Sequence, residues 1–450
     1  MSGQRDPPES NRHREGQSNR ERGVHGSGDG DRRETGDGDG RETGDGDGRE
    51  TGDRDGVRST FEDTLAYARE RDYTGWDLYD GESSRILRAL PVESKWLNLA
   101  FQQSVRRSPV NIRPLLLVEQ RRNPMGTALF SMANLTAYDV TDDERYRADA
   151  RRLAEWVVEN QVDGYGGFCV GHSHPLQGLS KRTTPDIPGV VGTSWATKAL
   201  IAAGDRFDGP YHEVAASAAD FVFENLNYGE APTGARIDYK ATDTGDHYTL
   251  NANALGARLL VDLYDAFGDA THRARAERIL EYVAAQQTDR GGWMYRDPPE
   301  ASHLSMDNFH NGFIVQSFLR YREACDPEAF ATTVADAVDF YRELFTADGA
   351  PYFDESNVYP RDIHSSAQGA VVFSMLGEFD RAETILRWAR EHLSDGDGRF
   401  FHEQRRLFTD RTTLMRWCQA WMAYAISEYL RRRSTDGRPH SEITRSHNSP

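Results

Sequence analysis

The stretch Thr249-Leu250-Asn251-Ala252-Asn253-Ala254-Leu255-Gly256-Ala257 is small and apolar and carries no charge before Arg258. A helix of this composition has no polar face to turn to water, so it asks to be buried all round. Five more such patterns begin near Pro124, Gly192, Asp307, Asp362 and Thr413. Between them lie amphipathic patterns at residues 142–161, 211–225, 271–287, 327–345 and 379–393, with apolar residues at i, i+3/i+4 spacing and Arg and Glu between. The six starts are 51 to 68 residues apart. A period of this size across a chain marks a repeat architecture. The amphipathic patterns also share a closing turn, as in Asp163-Gly164-Tyr165-Gly166-Gly167-Phe168 and Asp289-Arg290-Gly291-Gly292-Trp293, with shorter versions at Asp348-Gly349 and Asp397-Gly398. Six buried helices ringed by amphipathic ones predict an all-α fold, an (α/α)6 toroid, with residues 96–105 as the first outer helix. The alternative is an open solenoid of helical hairpins, which would not require six repeats.

Outward from this body the composition changes. Residues 1–57 hold almost no large apolar side chain and repeat Arg-Glu-Thr-Gly-Asp-Gly-Asp-Gly from Arg33, Arg41 and Arg49. Such a segment cannot offset its backbone entropy by burial, which predicts a disordered acidic N-terminal tail. Its Asp-Gly pairs lack the apolar residue per turn of a calcium β-roll and the spacing of an EF-hand. The toroid domain is expected over 58–432, with a second polar tail at 433–450.

Lys+Arg number 54 against 72 Asp+Glu, a net charge of −18. That balance speaks against a nucleic-acid footprint and against docking on anionic lipid. The four lysines are Lys95, Lys181, Lys198 and Lys240, so nearly all cations are Arg. An acid-rich, Lys-poor chain reads as halophilic, archaeal and cytoplasmic. Three cysteines without a CxxC fit a reducing compartment. No apolar run approaches the roughly 18 residues that span a bilayer, and no signal peptide is visible. A lipid-linked substrate at the cytoplasmic face of a membrane stays open.

In a closed ring, the first turn of each inner helix lines one mouth. The blocks there are residues 192–195, 246–253, 306–312, 359–368 and 411–421, and they gather Asn, His, Trp, Asp and Arg. Carboxylates, amides and Arg beside aromatic rings suit a sugar site. Asp307, Asp362, His310 and His364 are the catalytic candidates. Asp307-x-x-His310 and Asp362-x-His364 could each orient an imidazole. Trp195, Tyr248, Asn251, Asn253, Asn308, Tyr359, Arg361, Gln368, Arg416, Trp417 and Trp421 are the substrate-binding candidates. Plainer readings stand beside these: Asp307, Asp362 and Thr413 as helix N-caps, Asn251 and Asn253 as bridges between helices, Trp195 and Trp421 as core.

An inverting glycosidase would use Asp307 and Asp362, with Asp246 a third carboxylate; no Glu stands in the five blocks. A sugar epimerase would instead draw on Arg361, Arg416, Tyr248, Tyr359, His310 and His364. Asp362, His364, Asp307 and His310, or His172 with His174, could offer metal ligands, but nothing fixes four, so no metal is expected. No motif calls for a cofactor. Residues 166–188 form a Gly- and Pro-bearing insertion placed to cover the mouth.

Residues 250–256 (LNANALG), 306–313 (MDNFHNGF), 359–369 (YPRDIHSSAQG) and 415–422 (MRWCQAWM) resemble six-hairpin toroid proteins encoded in bacterial exopolysaccharide clusters and haloarchaeal protein N-glycosylation clusters. The resemblance spans roughly residues 95–430. It implies kinship with toroid glycosidases and uronyl C5-epimerase domains, and work on a surface or lipid-linked glycan beside other glycosylation enzymes. The function expected is a glycosidase-like hydrolase or a sugar isomerase or epimerase; the alternative is a non-catalytic glycan-binding scaffold for glycosyltransferases. Gln287-x3-Gly291-x-Trp293 also matches a triterpene-cyclase turn, but no DxDD acid motif accompanies it, and the zinc sets of prenyltransferases and lanthionine cyclases are absent.

Overall fold

The structure is a computed structural model that describes residues 46–436 other than Ser180, with side chains from Gly56 onward. Of the tails expected at 1–57 and 433–450, residues 1–45 and 437–450 lie outside the described residues. Contacts divide the chain after Gly48, and the described residues from Arg49 onward form one compact unit.

The helices follow in chain order: α1 (Gly46–Glu70), α2 (Arg85–Ala89), α3 (Lys95–Arg107), α4 (Pro124–Thr141), α5 (Glu144–Glu159), α6 (Val190–Gly204), α7 (Tyr211–Asn225), α8 (Leu250–Phe267), α9 (Ala270–Ala285), α10 (Asn308–Ala324), α11 (Ala331–Glu343), α12 (Ile363–Met375), α13 (Phe379–His392) and α14 (Trp421–Asp436). A π-helical turn, Met415–Ala420, leads into α14. The apolar helices pack in sequence, α4 on α6, α6 on α8, α8 on α10, α10 on α12 and α12 on α14, and α14 returns to α4. The ring is closed, so the chain is an (α/α)6 toroid rather than an open solenoid.

The inner helices are buried nearly all round because their residues offer nothing to solvent: α8 is buried from Leu250 to Leu263 without a break. The outer helices bury one stripe; α5 buries Tyr146, Ala150, Leu153, Ala154 and Val157 and exposes its Arg and Glu. Burying a side chain the size of Leu153 or Val157 stabilises the fold by roughly 1.5–3 kcal/mol relative to exposure. The shared turn has a steric cause. Gly291 and Gly349 sit at φ +88°, and each backs directly onto a carbonyl of the next outer helix, Asp336 and Thr384 respectively. A side chain there would meet backbone, and the left-handed conformation favours glycine.

Two boundaries differ from those expected. The sixth outer helix is α1, not residues 96–105. Gly56 backs onto Arg390 of α13, while Arg69 pairs with Asp149 of α5 at 2.5 Å, so α1 fills the gap between them. Val57 and Phe61 are buried in the core, so the toroid begins ahead of the 57/58 boundary that composition suggests. The segment 85–118, with α3, packs over the mouth instead, against the insertion at Leu176–Gln177. On the C-terminal side, α14 continues to Asp436, past the expected boundary at 432.

Short strands tie the mouth loops together: β1 (Leu176–Gln177) with β2 (Arg182–Thr183), β3 (Gly229–Glu230) with β4 (Ala235–Arg236), β5 (Tyr248–Thr249) with β6 (Arg296–Asp297), and β7 (Arg361–Asp362), β8 (Glu403–Gln404) and β9 (Thr409–Asp410) in one antiparallel sheet. In that sheet Asp362 pairs with Glu403, and Glu403 with Asp410. No described helix is long and apolar enough to cross a membrane.

Candidate functional site

A cavity of about 760 Å³ opens at the N-terminal end of the inner ring. Every inner helix reaches it: Met125 from α4, Gly192 from α6, Asn251 from α8, His310 from α10, His364 from α12 and Trp417 ahead of α14. The insertion contributes Val170, His172 and Thr183, so it walls the mouth as expected. The ring axis below is filled by aromatic side chains. Trp195 meets Trp421 edge-on at 5.0 Å, and Trp421 stacks on His364 at 4.6 Å.

Two histidines at this mouth are each tied to a carboxylate. Asp307 caps α10, accepting the His310 backbone N–H at 3.2 Å, and its second oxygen lies 2.9 Å from His310 Nδ1. The Asp-x-x-His spacing places the ring over the cap because N-cap and N3 share one turn. The other pair is built by the β8–β9 hairpin. His402 Nδ1 lies 3.2 Å from Asp410 Oδ2, and His402 Nε2 lies 3.8 Å from Asp362 Oδ2. Burial alone pulls the His402 pKa down, but the bond to Asp410 and the charges of Asp362 and Glu403 outweigh it, and the net shift is upward.

Asp362 caps α12 through the His364 N–H at 2.8 Å and accepts the Trp417 indole N–H at 2.9 Å. Burial raises its pKa to about 6; His402 opposes this and Glu403 adds to it. Asp362, His402 and Glu403 bring one ligand atom each within 4.8 Å of one another, which is metal-like spacing, and it differs from the ligand sets suggested by sequence. The donors are already engaged: Arg405 holds Glu403 at 2.5 Å, and Trp417 holds Asp362. The cluster suits shared protons at least as well as an ion.

His364 is buried with neither ring nitrogen hydrogen-bonded to the protein, and burial keeps it neutral. Asn251 likewise has a buried Oδ1 without a partner. Both line the cavity, so each has hydrogen-bonding capacity available to a bound molecule. Arg416 faces the cavity while its guanidinium grips Asp77, with Nε at 2.7 Å from Oδ2. Burial works against the ionised Asp77, but Arg416 dominates and holds it well below the usual carboxylate range. Burial also holds His172, 3.9 Å from Asp77, down to about 4, so it is neutral.

Of the candidates from sequence, His310, Asp362, His364, Asn251, Tyr359, Arg416 and Trp417 therefore meet at one cavity, with Asp307 behind His310. The others do not line it. Asn253 clamps the backbone of Ile237, accepting its N–H at 2.8 Å and donating to its carbonyl at 3.0 Å. Asn308 is used by the Leu344 carbonyl and the Tyr341 hydroxyl. Gln368 bonds Gln316 inside the ring. Trp195 and Trp421 form the floor, as their core reading has it. Tyr248 packs under Arg236, and Arg361 lies over Tyr359 and Trp388. His402, Glu403, Tyr239 and Tyr295 also line the cavity, with Asp410 behind His402 and Asp77 behind Arg416, and sequence reasoning passed over all six.

Neither a protein-family model nor a curated protein sequence matches the chain. Solved structures do. Cellobiose 2-epimerase from Bacillus thermoamylovorans B4167 aligns with a TM-score of 0.56 at 12% identity, over 69% of this chain and 88% of its own. A D-mannose isomerase gives 0.54 at 10% identity, over 70% and 87%. The unsaturated glucuronyl hydrolase of Bacillus sp. GL1, responsible for degradation of glycosaminoglycan, gives 0.51 at 14% identity, over 84% and 96%. The likeness is one of fold. All three share the toroid.

Proposed function

We propose that this chain moves a proton at the carbon beside a sugar carbonyl, as an aldose–ketose isomerase or a 2-epimerase. The observation that carries this reading is the pair His310 and His402. They reach one cavity from different hairpins, each with Nδ1 on a carboxylate; among the described residues His310 Nε2 makes no hydrogen bond, and His402 Nε2 faces Asp362 at 3.8 Å. Such a pair serves as base and acid around a single carbon. One imidazole removes the C2 proton of the open-chain sugar, whose electrons pass to the C1 carbonyl oxygen as an enediolate. Transfer of the O2 proton to O1, with a proton returned to C1, gives the ketose; a proton returned to C2 from the opposite face gives the epimer. Arg416 adds positive charge beside the enediolate, His364 and Asn251 meet hydroxyls, and Trp417 and Tyr359 flank the ring. The epimerase and isomerase among the structural neighbours support this choice.

Composition and sequence resemblance support a place in glycan assembly in a halophilic archaeal cytoplasm, beside other glycosylation enzymes. The test is incubation of the full chain with mannose, glucose and cellobiose in D₂O, reading deuterium at C1 and C2 by NMR. Incorporation that disappears in His310→Asn and His402→Asn is the expected result. A second reading has its own observation: Asp362, raised to about 6, beside Glu403 is an acid and a carboxylate at close range, as a retaining glycosidase uses. No exchange, with hydrolysis of aryl glycosides abolished by Glu403→Gln, would favour it. Neither activity would leave a binding scaffold.

A further inference from the structure

The chain is strongly acidic overall, yet the segment across the mouth is basic. Between residues 85 and 118 stand Arg85, Arg88, Lys95, Arg106, Arg107 and Arg113, against the single acid Glu93. Arg113 is buried on Asp80, and Arg88 pairs with Glu119. Among the described residues, Arg85, Lys95, Arg106 and Arg107 have no carboxylate partner. The side chain of Lys95 instead donates to the Leu179 carbonyl at 3.0 Å, and Arg106 rests on Tyr79. A net charge of −18 therefore averages over a surface with one positive zone.

The same zone holds the apolar exposure. Trp96 is 67% exposed, Leu115 77%, Leu179 74% and Leu407 91%. Among the described residues, the large apolar side chains exposed outside segment 85–118, the insertion and the β8–β9 hairpin are Val358, Tyr359, which lines the cavity, and Phe267, at the opposite end of α8. The collar surrounds the cavity. Arg106 and Arg107 of its α3 line the opening, Leu179 follows the insertion wall, and Leu407 tips the β8–β9 hairpin whose Glu403 and Arg405 line the far side. Apolar tips on separate loops, interleaved with free cations and an interfacial Trp, form no groove for a helix or strand. They match a flat surface with an apolar interior and anionic headgroups.

We propose that this collar seats the mouth of the cavity on an anionic lipid bilayer. Trp96, Leu115, Leu179 and Leu407 enter the headgroup boundary, and Arg85, Lys95, Arg106 and Arg107 lie at phosphate level. The acidic remainder of the surface is repelled, which orients the mouth toward the membrane. A sugar carried on a lipid then meets the cavity directly. Net charge speaks against anionic lipid, but the local charge of this collar is positive. The docking does not depend on the proton-transfer chemistry.

The test is flotation of the full chain, without any sugar, on phosphatidylcholine vesicles with and without phosphatidylglycerol. Binding is expected on the anionic vesicles only, and should fall about tenfold in the double variant Trp96→Asp, Leu407→Asp and in Arg85→Glu, Lys95→Glu. These side chains are exposed, so circular dichroism should stay unchanged. No flotation, or equal flotation on neutral vesicles, overturns the proposal. So does a wild-type dimer that the double variant converts to monomer, because the collar would then join two copies of the chain. Deuterium exchange into free mannose is read separately and is expected to survive both variants.

Discussion

Nδ1 of His402 lies 3.2 Å from Oδ2 of Asp410, held there by a hairpin whose backbone also joins the two residues. Burial alone would push the His402 pKa down, and Asp410 is the main group raising it above 6.5. In Asp410→Asn that contribution is gone, and the balance against burial rests on Asp362 and Glu403 alone, so the pKa falls. As a base His402 must be neutral, so the acid limb of the pH–rate profile should move to lower pH, with kcat down about tenfold or more and KM little changed. Stability has the opposite sign to check. Protonated His402 stabilises the fold below pH 6.5, and this is lost as pH rises through its higher folded value. The variant should therefore lose more stability at pH 5 than at pH 9. A merely structural role for Asp410 would leave the kinetic limb in place.

Asp362 supplies a second pH test. Burial raises its pKa from 3.8 to about 6, against the pull of His402, so the folded state disfavours its charge. Above pH 6 that penalty is fully present, and below 3.8 it is absent. At 1.36 kcal/mol per pH unit the cost reaches about 3 kcal/mol. Asp362→Asn keeps an oxygen for the cap and for Trp417 while removing the charge. Its melting temperature should exceed wild type at pH 8 and equal it near pH 3.5. A variant less stable at pH 8 would show that His402 and Trp417 hold the carboxylate more strongly than burial penalises it.

The ring was legible because composition and burial agree: Leu250 to Leu263 is mostly Ala, Leu, Val and Gly, and it is buried throughout. The mouth was legible because polar residues cluster at helix starts. What failed was direction within a turn. Asn251 and Asn253 look alike in sequence, but two residues turn a helix by about 200°, so one faces the cavity and the other the Ile237 loop. His402 and Asp410 were missed because a two-residue strand pairing, not a helical period, brings them together. Residues 96–105 were amphipathic enough to pass for an outer helix; their exposed Trp96 belongs to the collar instead.

The two asparagines make a paired prediction. Asn253 meets both polar groups of Ile237 and the Thr249 carbonyl, as Asn311 does one repeat later with Trp293 and Asp307. Asn253→Ala should cost about 3 kcal/mol in urea unfolding, since buried backbone groups lose their partners. Catalysis in the folded fraction should be unchanged. Asn251→Ala should leave stability within about 0.5 kcal/mol and, on the proposed function, raise KM about tenfold, because its Oδ1 has no partner in the protein and would serve a bound sugar. The reverse pattern would reassign both residues.

Asp77 and Arg416 join the segment after α1 to the turn that leads into α14, so one buried pair links the two ends of the ring. Asn123, the cap of α4, donates to the same carboxylate at 3.3 Å. Removing one partner strands the other charge in low dielectric. Asp77→Asn should therefore destabilise by about 3–5 kcal/mol. The double variant Asp77→Leu, Arg416→Met strands nothing and should recover most of that loss in urea titrations. It should not recover sugar turnover, because Arg416 also provides the positive charge at the cavity wall. Recovery of both would mean that the pair serves only to close the ring.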